Sequence, residues 1–387
     1  MSYTTPGKPD RRVKKPHEWN RGIKNFRHKQ LIYSQLETTH HSLKAIHFLK
    51  ICYIPAMKSF KHHPIHQRAL DTEESRLLMH DIAAGNLTAE QTAYFTAVLN
   101  HRGITPDELR GFSRCFRELL LPFRVDIDSI DIVGTGGDGK NTFNISTCTC
   151  FVVAAAGYPV TKHGSFGVSS TSGSSDVLLE LGYQFSTDHE VLHRQLERYK
   201  LTFLHAPLWH PAMKRVVPVR RNLGLKTVFN LLGPLLNPAN PTHALLGTAT
   251  PTDAHLYQQT LKNSDKRSFA VVHALDGYDE ISLTDQALVL ERDRTRQLGP
   301  ADFGLPAYAP EALHGGETVA EAAGIFRNIL QNRATAAQRD AVLANAGLAI
   351  SLFEPDLSLP DCVRRARTAI ESGATADLLE RLLADGQ

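Results

Sequence analysis

The sequence predicts an α/β protein: a small all-helical unit followed by a larger domain in which strands and helices alternate. Three observations carry that prediction. Residues 64–125 hold helix-start signals and no strand-like run. From Ser129 onward, short β-branched runs alternate with small-residue helical segments, the pattern of an α/β domain. Hydrophobic (42%) and charged (21%) fractions are those of a water-soluble globular chain, and no apolar run reaches the length of a membrane span.

The helical unit opens with Asp71–Ala84, apolar at helical spacing and stopped near Gly85. Thr88 and Gln91 form a Thr-x-x-Gln capping box ahead of Tyr94, Phe95 and Val98. Thr105-Pro106-Asp107-Glu108 supplies a cap oxygen, a proline at the first helical position and acids where the helix dipole favours them. Ile130–Val133 is then the first strand, halted by glycines. A helix from about Ser146 to Ala156 ends at Gly157 and Pro159, Tyr158–Thr161 is the next strand, and Ser174–Leu181 is a helix stopped by Gly182. Further strands fall at Ala244–Gly247, Ser268–His273 and Ala287–Glu291, and helices at Thr318–Gln331, Thr335–Leu352 and Ala374–Ala384. There is no internal repeat.

The net charge of +3 conceals an asymmetry. Residues 1–56 contain eleven Lys or Arg against three Asp or Glu, a balance of +8, which leaves 3 − 8 = −5 for the rest. A basic tail suits nucleic acid. Yet the tail is poorly periodic, and His17, His28, His40, His41 and His47 show no ligand spacing. Residues 1–56 are expected to be a disordered extension or the product of a misassigned start, and no nucleic-acid or membrane partner is expected. Five scattered cysteines argue against a disulfide framework and for a reducing, cytoplasmic compartment. Cys148 and Cys150 read as helix filling rather than metal ligands.

Four motifs carry chemistry. Gly134-Thr135-Gly136-Gly137-Asp138-Gly139 follows a strand and runs through Asn141, Thr142 and Phe143 into Asn144-Ile145-Ser146-Thr147, which opens a helix. Glycines admit backbone N–H groups close to an anion, and the helix start adds unpaired donors and positive dipole. Asn144, Ser146 and Thr147 add side-chain donors. The spacing is neither the dinucleotide fingerprint nor a P-loop, and glycine-rich turns with no ligand are common. Lys162-His163-Gly164-Ser165, continuing through Ser169 and Ser170 to Ser174 and Asp176, places a lysine at a strand end before a run of hydroxyls. That composition suits a multiply charged phosphate ester; its plain alternative is a flexible linker. Asp279-Glu280 pairs two oxygen donors of the kind Mg²⁺ prefers, although adjacent acids are usually a solvated turn. His210-Pro211-Ala212-Met213-Lys214, Arg220-Arg221 and Phe229 to Pro238 offer arginines and turn formers whose spacing alone decides nothing.

In that order, these motifs resemble the anthranilate phosphoribosyltransferase family, over roughly residues 66–354 and more loosely to the end. The resemblance implies a small helical domain (57–127, with 215–235 returning to it), a large α/β domain with a central mixed sheet (128–214 and 236–387), and an active site in the cleft between them. It implies transfer of phosphoribose from 5-phosphoribosyl-1-pyrophosphate (PRPP) to anthranilate, Mg²⁺ as cofactor, two ions per subunit, and a homodimer. Gly134, Gly137, Asp138, Thr142, Asn144, Ile145, Ser146, Thr147, Lys162, His163, Gly164, Ser169, Ser170 and Ser174 would line the PRPP site. Ser146, Asp279 and Glu280 would hold the metal, and Lys162, Asp279 and Glu280 would act in catalysis by meeting the leaving pyrophosphate and its metal. Gly134, Ser165 and Arg220 would meet anthranilate, Arg220 at its carboxylate. One departure stands out. The family usually has Asn where this chain has Ser165, with Phe166 where Arg or Tyr is common. A pyrimidine-nucleoside phosphorylase and an inactive nucleic-acid-binding relative are the competing expectations; the paired acids and Asn230-Leu231-Leu232-Gly233-Pro234 speak against the first.

Overall fold

The computed structural model describes residues 64–167, 171–224 and 226–385. The expectations for residues 1–56, Ser169 and Ser170 lie outside the described residues.

Three helices come first: α1 (Thr72–Ala84), α2 (Ala89–Arg102) and α3 (Pro106–Leu119). Each begins at a capping box, Asp71 with Glu74, Thr88 with Gln91 and Thr105 with Glu108, so the orphan N–H groups of each first turn are met by the residues the sequence offered. Phe95 and Phe112 meet edge to face at 5.9 Å inside this unit. Glu108 is buried, yet it accepts from Leu70 N at 2.9 Å and Arg102 Nη1 at 2.9 Å, which satisfies the charge.

The second layer is a seven-stranded sheet: β1 (Ile130–Gly134), β2 (Val160–Gly164), β3 (Leu201–His205), β4 (His243–Gly247), β5 (Ser268–Ala274), β6 (Ala287–Leu290) and β7 (Thr295–Leu298). Their spatial order is β3-β2-β1-β4-β5-β6-β7. The first five are parallel, and β6 and β7 are antiparallel to their neighbours, so the sheet is mixed as expected. In register, Gly134 lies opposite Gly247 and Gly164 opposite His205.

Between the strands run α4 (Ile145–Ala155), α5 (Ser174–Glu180), α6 (His189–Tyr199), α7 (Ala206–Trp209), α8 (Val217–Leu223), α9 (Val228–Leu232) and α10 (Pro251–Leu261), and after β7 follow α11 (Val319–Leu330), α12 (Ala336–Ser351), α13 (Leu359–Glu371) and α14 (Ala374–Ala384). Helix α4 is buried along nearly its whole length and packs on α12, which is itself almost entirely interior. Both are rich in small residues, which lets their axes approach. The turn Pro211–Arg215 packs on α1 and α3, α8 on α2, and α9 on α2 and α3. Chain that follows β3 is therefore built onto the helical unit before returning to the sheet.

The structure corrects several boundaries. Strand β2 begins at Val160, two residues later than predicted, because Tyr158 is still in the turn after α4. The prediction omitted α6, β3, α7, α8, α9, α10, β7 and α13. Helix α10 had a readable start, since Thr250 caps Asp253 N and Pro251 follows. Strand β7, Thr295–Leu298, is polar on all but its last residue, with Thr295 and Gln297 exposed, so no apolar alternation marks it.

Candidate active site

Strand order fixes the location. The chain steps from β1 outward to β2 and β3, then returns across β1 to β4 and β5. That reversal opens a crevice beyond the carboxyl ends of β1 and β4, where open parallel sheets bind ligands. The two strand ends are Gly134 and Gly247. Both are glycine for a spatial reason: a Cβ on Gly134 would overlap the Asp279 carboxylate, and one on Gly247 would overlap the Asp279 main-chain carbonyl. The Asp279-Glu280 turn thus lies directly across the two strand ends. Adjacent acids that signal little as sequence stand at the centre of the crevice.

Backbone donors hold both acids. Gly136 N donates to Asp279 Oδ2 at 2.9 Å, and Ser146 N, in the first turn of α4, donates to Glu280 Oε1 at 2.8 Å. Burial, then the charge of Asp138, pushes the Asp279 carboxyl up to about 6. Burial, then Asp279, raises Glu280 well above the ordinary range. Two buried acids side by side, each with a backbone donor, disfavour their charged forms, and a divalent cation would stabilise those forms. Among the described residues, no three His, Cys, Asp or Glu side chains form a ready-made metal cage. Two carboxylates and the partly exposed Ser146 hydroxyl fit a hard cation that completes its shell with ligand oxygens and water, the habit of Mg²⁺.

The glycine loop wraps one side. Gly136, Gly137 and Gly139 have φ of 64°, 73° and 74°, a left-handed run that side chains would strain. Asp138 Oδ1 accepts from Lys140 N at 3.0 Å. Lys226 Nζ donates to Gly137 O, and Asn100 of α2 donates to Lys226 O at 2.7 Å, so the helical unit reaches this loop. Thr142 bridges to His314 beside it. Asn144 stands at the cap position of α4 without capping it; its amide instead exchanges hydrogen bonds with Ser172. The loop through Gly167 is tied at its base: Ser165 O accepts from Ser174 Oγ and Ser175 N, and Asp176 Oδ2 accepts from Gly167 N and Gly173 N, both at 2.8 Å. Gly164 packs against Ser174 Oγ.

Four of the expected residues have side chains buried away from the open crevice. Ile145 and Thr147 are 1% exposed, so only their main chain remains for a ligand; α4 is enclosed on nearly all sides, and of its first turn only Ser146 stays partly exposed. Lys162 is 2% exposed and its ammonium donates to Ile132 O at 2.6 Å, beneath the end of β1 rather than into the open crevice. A buried ammonium needs acceptors, and β1 provides one. The His163 ring is also buried: Nδ1 lies 3.2 Å from Gly233 O and Nε2 3.0 Å from His210 Nε2. Burial, with His210 beside it, takes its pKa down to about 3, so it is a neutral packing group here. Arg220 stands on α8, partly buried, with its pKa lowered by that burial and no carboxylate partner among the described residues. No hydrogen bond joins it to Gly134 or Ser165 among those residues.

Sequence reasoning missed Gly247, Lys226, His210 as the partner of His163, and Asn345 on α12, and it named Asp176 without its role as acceptor for the loop. Asn345 lines the small cavity under Asp279 and Glu280. A lone amide in the small, apolar stretch 341–350 was the available signal for it.

Comparison with known proteins agrees with this geometry. Residues 126–376 match the Glycosyl transferase family, a/b domain, and residues 62–119 match the Glycosyl transferase family, helical bundle domain. Anthranilate phosphoribosyltransferase of Cytophaga hutchinsonii is 50% identical over 313 residues, covering 81% of this chain and 95% of that one. The Bacteroides thetaiotaomicron protein of the same name is 42% identical, covering 84% and 98%. The crystal structure of the anthranilate phosphoribosyltransferase from Thermus thermophilus superposes with a TM-score of 0.79 at 36% identity, over 85% of this chain and 98% of that one. The Saccharomyces cerevisiae enzyme in complex with PRPP and Mg shares the fold, with a TM-score of 0.76 at 24% identity over 87% and 98%. By this identity and coverage, the chain belongs to the anthranilate phosphoribosyltransferase family.

Proposed function

We propose that the chain catalyses the family's reaction, a step of tryptophan biosynthesis. The amine of anthranilate displaces pyrophosphate at the anomeric carbon of PRPP and gives N-(5-phosphoribosyl)anthranilate. The observation that carries this reading is the placement of Asp279 and Glu280 across the ends of β1 and β4, beside a left-handed glycine loop and the start of α4.

The parts divide the work. The glycine loop and the first turn of α4 would bind phosphate oxygens through backbone N–H groups. Asp279, Glu280 and Ser146 would hold Mg²⁺, two ions per subunit. Bound there, Mg²⁺ supplies neutralisation of the departing pyrophosphate. Lys162, beneath β1, adds positive charge that bears on Glu280. Arg220, with no acid partner among the described residues, would take the anthranilate carboxylate. The aniline nitrogen is already nucleophilic, so positioning supplies most of the rate and no covalent intermediate is needed. A cytoplasmic homodimer is the assembly we infer from the family resemblance. The four described cysteines, all free and buried, are in keeping with a reducing compartment.

Loss of anthranilate fluorescence in the presence of PRPP and Mg²⁺, abolished by EDTA, is the expected result. No loss, with PRPP still bound, would keep the phosphoribosyl site and discard the acceptor.

A further inference from the structure

We propose that Asn345 is a positioning residue that sets the Asp279-Glu280 turn for metal binding, an inference that rests on the function proposed above. Helix α12 is small and apolar through its centre, and Asn345 sits there 3% exposed. A buried amide has to be paired, and this one is paired mostly to a single distant residue. Its Oδ1 accepts from Ile281 N at 3.1 Å, and its Nδ2 donates to Ile281 O at 2.9 Å and to Ala341 O at 2.9 Å. Both main-chain groups of the residue after Glu280 are thus held by one side chain, as a neighbouring strand would hold them.

A second observation shows why such a hold is needed. Leu283, two residues further on and 1% exposed, has φ of 61°. A bulky residue adopts that conformation only where its surroundings dictate it. Tyr308 N donates to Leu283 O at 2.9 Å on the far side. The turn is therefore fixed at 281 and again at 283, in a form an unrestrained chain would leave. That form places Asp279 over Gly134 and Gly247 and brings Glu280 to Ser146 N. Asn345 lines the same cavity as both acids.

An amide that merely stabilised α12 would affect unfolding and leave the folded protein's metal affinity alone. Asn345→Ser and Asn345→Ala are compared with Val363→Ala, which loosens the contact of α13 with Gly347 of α12 without touching the turn. Melting temperature is measured alongside Mn²⁺ binding by electron paramagnetic resonance with PRPP present. Asn345→Ser should raise the Mn²⁺ dissociation constant by about tenfold or more, while Val363→Ala shifts only the melting temperature. If Asn345→Ala does not fold, the Ser variant carries the test. Folded Asn345→Ser with wild-type Mn²⁺ affinity would overturn the role of Asn345 alone. Wild-type protein that takes up no Mn²⁺ with PRPP present would overturn the proposed metal site as well.

Discussion

The two halves of the crevice are built differently. The half we assign to phosphate consists of backbone and buried acids: Gly136 N, Ser146 N, Asp279 and Glu280, locked by close approach to Gly134 and Gly247. The half we assign to the acceptor consists of side chains: the exposed Ser165 and Phe166 on a loop, the buried His205 at the end of β3 stacked on Phe185 at 4.6 Å, and the partly buried Arg220 on α8. A half made from main chain and sterically required glycines tolerates few substitutions. An exposed loop side chain such as Ser165 can change without disturbing the fold. The departure from the family at Ser165 falls in the second half, where the architecture permits it.

Four experiments would break or sharpen this contrast, taken from the largest effect to the smallest. Glu280→Gln keeps the shape but removes one charge, and kcat should fall by about 10²-fold or more with little change in melting temperature; steady-state rates at saturating Mg²⁺ check this. Gly247→Ala inserts a Cβ into the Asp279 carbonyl, which is backbone and has no alternative rotamer. It should cost about 1–3 kcal/mol of stability, measured by urea unfolding, and weaken activity with it. Ser165→Asn restores the longer amide and should lower KM for anthranilate by about two- to tenfold while leaving KM for PRPP unchanged. An altered PRPP KM would mean that the two halves are not separable.

The last effect concerns acid. His163 and His210 lie below their ordinary 6.5, at about 3 and about 4, through burial. Between those values and 6.5 the unfolded chain binds more protons than the folded one, so stability should fall as pH falls through that window. Melting curves from pH 7 to 4 should show the decline, and His210→Gln should flatten it.

Much of the phosphate side was legible because its signals are local. A β-branched run, a glycine cluster and a small-residue helix follow one another within residues 130–156, and they form β1, the left-handed loop and α4. Residues brought in from elsewhere were not legible. Nothing near Gly247 says that a carbonyl from residue 279 will rest on it, and nothing near Asn345 names Ile281 as its partner. Lys162 shows the same limit from the other side. Its residue type and strand-end position suit a phosphate, but only the sheet reveals that the carbonyl of Ile132 is within its reach. Strand β3 was missed because a five-residue buried strand next to an amphipathic helix shows no alternation.

Calorimetric titration of PRPP, with Mg²⁺ and with EDTA, into the wild type and an Asp279→Asn, Glu280→Gln double variant tests the central claim most directly. The account predicts binding only for the wild type with Mg²⁺. Equal, Mg²⁺-independent binding by both proteins would contradict it.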